Sequence, residues 1–167
     1  MDEVNALSDE AFVARFGGLF EHSPWVAEWV LVKRPFYSVD AMLTFMEKAV
    51  VRGGWRRQLQ LLRSHPRLAD KVAIADGLTK ASASEQASAG LDQLTPEEYT
   101  RFNELNKAYD EKFGFPFIIC VRLAGGKSGI LAAMEARLQD TAAGQRTAAL
   151  NEVFQIARLR LKDLMHL

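Results

Sequence analysis

The sequence predicts an all-α protein, a single domain of seven or eight helices with one buried extended segment. Three observations lead to this prediction. Apolar residues recur every three or four positions over most of the 167-residue chain, and helix caps, glycines and prolines separate these stretches. A single stretch, FPFIICV at 115–121, is apolar and β-branched. It has no evident partner strand, so we expect it to be buried in an extended form.

The N-terminal half contains four predicted helices. Ser8 and Ser38 are typical N-cap residues for the first and the third, and Ser23 with Pro24 begins the second. A glycine pair separates the third helix from a basic fourth. The fourth ends before His65, because a residue that precedes proline disfavours the α conformation. The predicted ranges are 9–16, 25–33, 39–52 and 55–63.

The C-terminal half begins with a predicted loop over 70–81 and then contains four helices. Ser82 with Glu85 forms one candidate capping box, and Thr95 with Glu98 forms a stronger one, since Pro96 follows its cap. The predicted ranges are 82–91, 95–113, 127–138 and 144–165. No repeat, linker or low-complexity tract interrupts the chain, so residues 1–167 are expected to form one domain.

The composition is typical of a globular protein, with 49% hydrophobic and 25% charged residues. The 21 basic residues balance the 21 acidic ones, so bulk charge disfavours binding to nucleic acid or to a membrane surface. No signal-peptide pattern is visible, and no apolar run approaches the ~20 residues of a membrane-spanning helix. We therefore expect a cytoplasmic protein.

Metal and nucleotide sites have little support in the sequence. Cys120 is the single cysteine, which excludes an intrachain disulfide and a cysteine-rich zinc site, and its apolar neighbours favour an unreactive buried thiol. The three histidines lack the helical spacing of metal ligands, so no metal is expected. Residues 125–128 resemble the end of a phosphate-binding loop, but Val121 stands where that motif begins with glycine.

A basic cluster around Trp55 has two open interpretations. It consists of Arg52, Arg56, Arg57 and Arg63. One interpretation is a solvated helix face around a core tryptophan. The other is a surface for anions, nucleic acid or a partner protein. This second interpretation predicts a non-enzymatic helical interaction module, which is the alternative to an enzyme.

His65 and Glu85 are the candidates for acid–base chemistry. His65 lies between a helix end and Pro66, where its ring can leave the helix surface, but a histidine there also pairs with helix carbonyls. Glu85 is explained equally well as a capping carboxylate. The residues by themselves leave both alternatives open.

Five strings, in order, resemble the OHCU decarboxylase family over nearly the whole chain. They are FEHSPWVAE (20–28), SHPRLADK (64–71), SASEQASAGLDQLTPEE (82–98), FNELNKAYDEKFGFPFIICV (102–121) and IARLRLKDL (156–164). The resemblance implies an all-α enzyme that decarboxylates 2-oxo-4-hydroxy-4-carboxy-5-ureidoimidazoline (OHCU) to (S)-allantoin in uric-acid breakdown. It implies a small-molecule substrate and no cofactor, with no nucleic-acid or membrane partner. The oligomeric state is left open, with a homodimer as one alternative.

The same resemblance implies roles for individual residues. His65 matches the catalytic histidine, and Glu85 matches its acidic partner. Backbone groups of 117–120 are implied to hold the ring and the ureido group of the ligand. Arg160 matches a substrate-binding arginine, with Arg158 as the alternative, because both flank the apolar stripe of the last helix. The residues implied to bind substrate are Pro66, Ser82, Ser84, Gln86, Phe117, Ile118, Ile119, Cys120 and Arg160.

Overall fold

The computed structural model of this chain describes residues 1–70 and 78–167. These residues contain nine α-helices, two 3₁₀ turns and no β-strand, which confirms the all-α class. In chain order the helices are α1 (Asp2–Asn5), α2 (Asp9–Phe16), α3 (Trp25–Val30), α4 (Val39–Arg52), α5 (Gly54–Arg63), α6 (Lys80–Ser88), α7 (Pro96–Phe113), α8 (Gly126–Arg137) and α9 (Ala142–Leu164). The 3₁₀ turns are Leu31–Lys33 and Val121–Leu123.

The number of helices exceeds the predicted seven or eight because of α1. Four residues are too short to show an apolar period, so no sequence pattern indicates this helix. The other boundaries lie within about three residues of the predicted ones, which is close to the usual disagreement over helix ends. Most of the loop predicted over 70–81 lies outside the described residues.

The chain divides into two compact units. Unit 1 comprises Met1–Ser64 and Phe154–Leu167, and unit 2 comprises His65–Val153. In unit 1, helix α3 packs against α2 and α4, and α4 packs against α5. The fully buried side chains of this unit include Phe12, Phe16, Phe36, Met42, Leu43, Met46, Leu61 and Leu62.

Serine caps begin two helices of unit 1 as the sequence predicts. The Ser8 hydroxyl accepts the Ala11 N–H at the start of α2, and the Ser38 hydroxyl accepts the Ala41 N–H at the start of α4. Ser23 does not cap α3, because Pro24 occupies the N-cap position and no side chain caps this helix. Serine side chains therefore fix two of the three predicted starts.

The basic cluster of α5 does not surround a core tryptophan. Trp55 is 38% exposed, so that part of the prediction is wrong. The guanidinium of Arg57 instead lies over the rings of Trp25 and Trp29, at 5.2 and 5.4 Å from their centres. Because stacking on an aromatic face stabilises an exposed arginine, this side of α5 is a solvated basic surface beside aromatic side chains.

In unit 2, helix α7 begins and ends as predicted. Thr95 and Glu98 form a complete capping box, with Pro96 in the first turn. Gly114 ends the helix in the left-handed conformation, at φ 77°, where glycine has no steric penalty. Between these ends, Phe102, Leu105, Asn106 and Tyr109 are buried. The chain after Gly114 is thereby directed into the interior of the unit.

Candidate active site

His65 and Pro66 begin unit 2, directly after helix α5. The His65 side chain is buried, with 8% of the residue exposed, and Pro66 is half-buried. Helix α5 ends before this pair, as the proline predicts. The imidazole is therefore partly withdrawn from water, in a stretch without regular secondary structure.

Three polar contacts fix the chain after Pro66 onto α6 and α7. Arg67 Nε donates to Asp110 Oδ2. Asn106 Nδ2 donates to the Leu68 carbonyl at 2.8 Å, and the Ala69 N–H donates to Gln86 Oε1 at 3.1 Å. Two of these contacts bind backbone groups, so the path of the chain itself is fixed. The sequence-predicted residue Gln86 thus helps to hold the loop that carries His65, through its carbonyl oxygen.

Helix α6 begins three residues earlier than the predicted cap. Its N-cap is Thr79, whose hydroxyl accepts the Ser82 N–H at 3.3 Å. The predicted capping box of Ser82 and Glu85 is therefore wrong, because Thr79 has already taken the capping position. Glu85 lies in the second turn, beyond the short reach of the positive helix end. Its carboxylate consequently has no role in beginning the helix.

The sequence-predicted residues of α6 lie on two sides of the helix. Ser82 and Gln86 are buried and four residues apart, so they share one face. Glu85 is half-buried at the edge of that face, whereas Ser84 is exposed. The helix therefore groups three of its four predicted site residues and separates the fourth from them.

Residues 115–120 form the buried, non-helical segment that the sequence predicts. Phe117, Ile118 and Cys120 are almost fully buried, and Ile119 is half-buried. The Phe117 ring packs edge-on against Tyr109, with 5.2 Å between ring centres. Because this ring lies in the core, the predicted ligand contact of Phe117 is left to its backbone.

Two charged side chains that the sequence analysis missed hold this segment. Arg137 Nη1 donates to the Ile118 carbonyl at 2.7 Å, and the Cys120 N–H donates to Glu152 Oε2 at 2.8 Å. Both lie on amphipathic helices, where a charged residue ordinarily indicates a solvent-facing side. No local motif distinguishes them from surface residues.

The carboxylate of Glu85 acts on the same segment. Burial raises the pKa of the Cys120 thiol above its ordinary value, and the charges of Glu152 and Glu85 raise it further. Helix α6 also packs against the 3₁₀ turn Val121–Leu123, which directly follows Cys120. Within unit 2, the structure thus brings α6 and its Glu85 carboxylate close to the end of the extended segment.

Arg160 belongs to unit 1, where it is 9% exposed and its Nη1 donates to Glu21 Oε2 at 2.8 Å. Glu21 is itself 2% exposed. Arg158, two residues earlier, is more exposed and pairs with Asp40 at 3.1 Å and Glu47 at 3.7 Å. The structure thus distinguishes the two arginines that the sequence left open. Glu21 was missed, because its partner Arg160 lies 139 residues away in the chain.

Within residues 1–70 and 78–167, no three His, Cys, Asp or Glu side chains are grouped so that they could hold a metal ion. None of the helices in this described part of the chain is long and apolar enough to cross a membrane.

Sequence comparison identifies relatives over nearly the full length. Residues 5–162 match the OHCU decarboxylase family. A 2-oxo-4-hydroxy-4-carboxy-5-ureidoimidazoline decarboxylase from Haloferax volcanii is 44% identical, over 98% of this chain and 94% of that protein. A protein of the same name from Halalkalicoccus jeotgali is 40% identical, over 98% of this chain and 90% of that protein.

Two solved structures share the fold. An (S)-allantoin synthase has a TM-score of 0.78 and 29% identity over 98% of this chain. This chain spans about half of that solved chain, 53% of its length. An OHCU decarboxylase solved in the presence of (S)-allantoin has a TM-score of 0.70, over 95% of this chain and 98% of that one. Its 20% identity makes it evidence for the fold alone.

Proposed function

Since the chain belongs to the OHCU decarboxylase family, we propose that it decarboxylates OHCU to (S)-allantoin in the breakdown of urate, as a carboxy-lyase. The observation that carries this proposal is in unit 2. There α6 lies close to an extended segment in which the N–H and C=O of Ile119 have no hydrogen-bond partner among residues 1–70 and 78–167. Such an arrangement can hold a small polar ring and supply acid–base groups beside it. The Trp55 cluster offers only an exposed basic surface, so the interaction module is not retained.

The substrate can supply its own electron sink. OHCU carries a carboxylate and a hydroxyl on one ring carbon, next to a ring C=N bond. When the bond to the carboxylate breaks, carbon dioxide leaves and its electron pair moves toward the C=N. The ring nitrogen of the C=N gains a proton with that electron pair, the hydroxyl then loses its proton to become a carbonyl, and the neighbouring carbon gains a proton on one face. The protein's task is therefore to orient the ring and to move protons.

We assign the hydroxyl proton to His65. An imidazole exchanges protons near neutral pH, which suits a group that must take a proton and release it again. The loop contacts through Gln86 and Asn106 support this role, because a general base acts only at hydrogen-bonding distance. Pro66 and the buried Ser82 are assigned to contacts with the substrate beside His65.

Glu85 is assigned to orient the His65 ring or the substrate hydroxyl. Its position in the middle of α6 supports this, because the cap of that helix is made by Thr79. Gln86 keeps its Nε2 group for the ligand while its Oε1 holds Ala69. Ser84, on the exposed side of the helix, stays a prediction that its position does not favour.

The segment 117–120 is assigned to recognise the ring and ureido groups through its backbone. In the described residues, 1–70 and 78–167, neither the N–H nor the C=O of Ile119 has a hydrogen-bond partner. Ile119 is half-buried, and a backbone group that is withdrawn from water without a partner is costly, so a ligand with amide-like edges would be favoured there. Arg160 is assigned to the carbonyl or ureido oxygens, since a guanidinium presents its donors as a planar fork that matches such groups.

The test is the variant His65→Asn, with His166→Asn as the matched control. His166 is exposed, and asparagine tolerates its positive φ of 56°, so the control removes an imidazole at little structural cost. We expect His65→Asn to lose activity by ~10²-fold or more while staying folded. The assay follows loss of substrate absorbance and the handedness of allantoin, because OHCU decays spontaneously. Full activity in folded His65→Asn would remove it from the mechanism.

We further propose that the reaction needs no cofactor and that the enzyme works in the cytoplasm as a homodimer. Activity is expected to survive dialysis against a strong chelator, and a requirement restored by zinc or manganese would contradict this. Self-association would cover exposed apolar side chains of unit 1 such as Val32 and Tyr37. Sedimentation equilibrium measures it directly, and a monomer at micromolar concentration would exclude the dimer.

A further inference from the structure

The two contacts that hold the extended segment use one edge of its backbone. In an extended chain, the N–H and C=O groups of alternate residues point to the same edge. The Ile118 carbonyl and the Cys120 N–H therefore share an edge, and Arg137 and Glu152 occupy it. By the same alternation, the N–H and C=O of Ile119 are expected at the opposite edge. A neighbouring strand would ordinarily pair such an edge, and the described residues supply none.

Arg137 is itself fixed by a partly buried polar network. Its Nε donates to Gln145 Oε1 at 2.7 Å, and the Tyr109 hydroxyl donates to the same oxygen at 2.8 Å. The Gln145 amide nitrogen in turn donates to Asp140 Oδ2 at 2.8 Å. The guanidinium also lies 4.5 Å from the centre of the Phe117 ring. The donor that reaches Ile118 is thus held by hydrogen bonds and by stacking.

We propose that Arg137 and Glu152 are positioning residues for substrate binding. They hold residues 118–120 so that the Ile119 N–H and C=O form a fixed donor–acceptor pair for an amide-like edge of the substrate, in its ring or ureido group. This rests on the proposed function. Neither side chain needs to touch the substrate, because each acts through the backbone group that it binds.

The arrangement serves binding better than it serves core stability. Arg137 and Glu152 are half-buried, and withdrawing charged groups from water even in part is costly, whereas apolar side chains carry no such cost. Arg137 and Glu152 instead fix the orientation of the segment, because each binds one particular backbone atom. A rigid donor–acceptor pair loses little freedom when a ligand binds, so the expected benefit appears in KM.

The experiment compares Glu152→Gln and Glu152→Leu, with Glu135→Leu as the control. Glu135 lies on α8 and forms an exposed ion pair with Arg101, so its loss should leave KM and kcat unchanged. Leucine removes the acceptor for the Cys120 N–H, whereas glutamine retains one. We expect Glu152→Leu to raise KM about tenfold with kcat changed less than about threefold, and Glu152→Gln to restore most of the binding.

The outcomes separate this inference from the proposed function. Wild-type protein that does not accelerate OHCU loss would overturn the proposed function, and this inference with it. Active wild type and a folded Glu152→Leu with unchanged KM would overturn the inference alone. If Glu152→Leu does not fold, Arg137→Lys tests the same point, since lysine keeps the charge but cannot bind Gln145 and Ile118 as a fork. A KM unchanged in Arg137→Lys would then overturn it.

Discussion

Helices α6 and α7 follow each other in unit 2 and contain the same short pattern, a hydroxyl residue with glutamate three positions later. In α7 the pattern is a working cap: Glu98 N–H donates to Thr95 at 3.2 Å, and Thr95 N–H donates to the Glu98 carboxylate at 3.0 Å. In α6 the pattern of Ser82 and Glu85 lies one turn inside the helix, because Thr79 makes the cap.

The difference shows that a residue outside a motif decides what the motif does. Pro96 fixes the start of α7 directly after Thr95, so Glu98 is used by the helix end. Because Thr79 caps α6, the helix begins before Ser82. Glu85 therefore lies in the second turn, close to Cys120. The carboxylate of Glu98 thus stabilises a helix end, whereas that of Glu85 does not.

The largest expected effect comes from removing each carboxylate charge in turn. Glu85→Gln should lower kcat by ~10²-fold or more at an unchanged melting temperature, because the amide cannot replace a charged partner of His65. Glu98→Gln should keep its activity, since glutamine also serves in a capping box. Steady-state kinetics and thermal melts of both variants measure this. Normal turnover in Glu85→Gln would show that neither carboxylate charge is needed for catalysis.

Helix α9 offers a similar comparison between two arginines, the buried Arg160 and the more exposed Arg158. Arg160→Lys should raise KM about tenfold, because a lysine cannot both pair with Glu21 and bind a planar group through a fork. Arg158→Lys should be nearly silent, because its partners are surface carboxylates. Measuring both under identical conditions makes each the control for the other. A KM raised only in Arg158→Lys would reverse the assignment.

Removal of the α6 N-cap should lower activity, whereas removal of the α7 N-cap should not. Thr79→Ala and Thr95→Ala should each lower the free energy of unfolding by ~1 kcal/mol, the usual value of a lost N-cap. Thr79→Ala should also reduce kcat/KM, because α6 carries Glu85 and Gln86. Urea unfolding and kinetics on the same samples separate the two effects. Equal activity in the two variants would show that the α6 cap does not position the site.

The smallest expected effect is the pH dependence of the α7 cap. The side-chain hydrogen bond from Lys127 lowers the pKa of Glu98, and the Thr95 N–H lowers it further. Because the folded pKa lies below the ordinary value, the stabilisation is present above that value and is lost as pH falls through the folded pKa. Lys127→Met should therefore reduce the fall in melting temperature between about pH 6 and about pH 3. Lys107→Met, at an exposed pair, is the control. An identical fall in wild type and Lys127→Met would contradict the assignment.

Much of the fold could be predicted because its signals are local. Ser8, Ser38 and Thr95 each bind an N–H three residues away, so the sequence contains both partners within one turn. Gly114 is equally local, since its positive φ belongs to one residue. The prediction for α6 was wrong where two hydroxyl residues competed for one cap, because local preference does not rank Thr79 above Ser82.

The candidate site was predicted through resemblance, and the structure adds what resemblance did not contain. The family strings drew attention to His65, Glu85 and Arg160, and their individual roles remain predictions. Glu21, Arg137 and Glu152 were not predicted. Each is a charged residue whose partner lies far away in the chain, and a pattern of neighbours in sequence contains no such information.

The sequence by itself determined the helical class, most helix ends and the place where the chain leaves the helical pattern at 115–121. Only the tertiary structure decided which charged groups are buried and what they hold. Arg137 binds a carbonyl 19 residues away, Glu152 an amide 32 residues away, and Arg160 a carboxylate 139 residues away. The physical reason is the range of the interactions: a cap is complete within one helical turn, whereas a buried ion pair or a held backbone segment exists only after distant helices have packed.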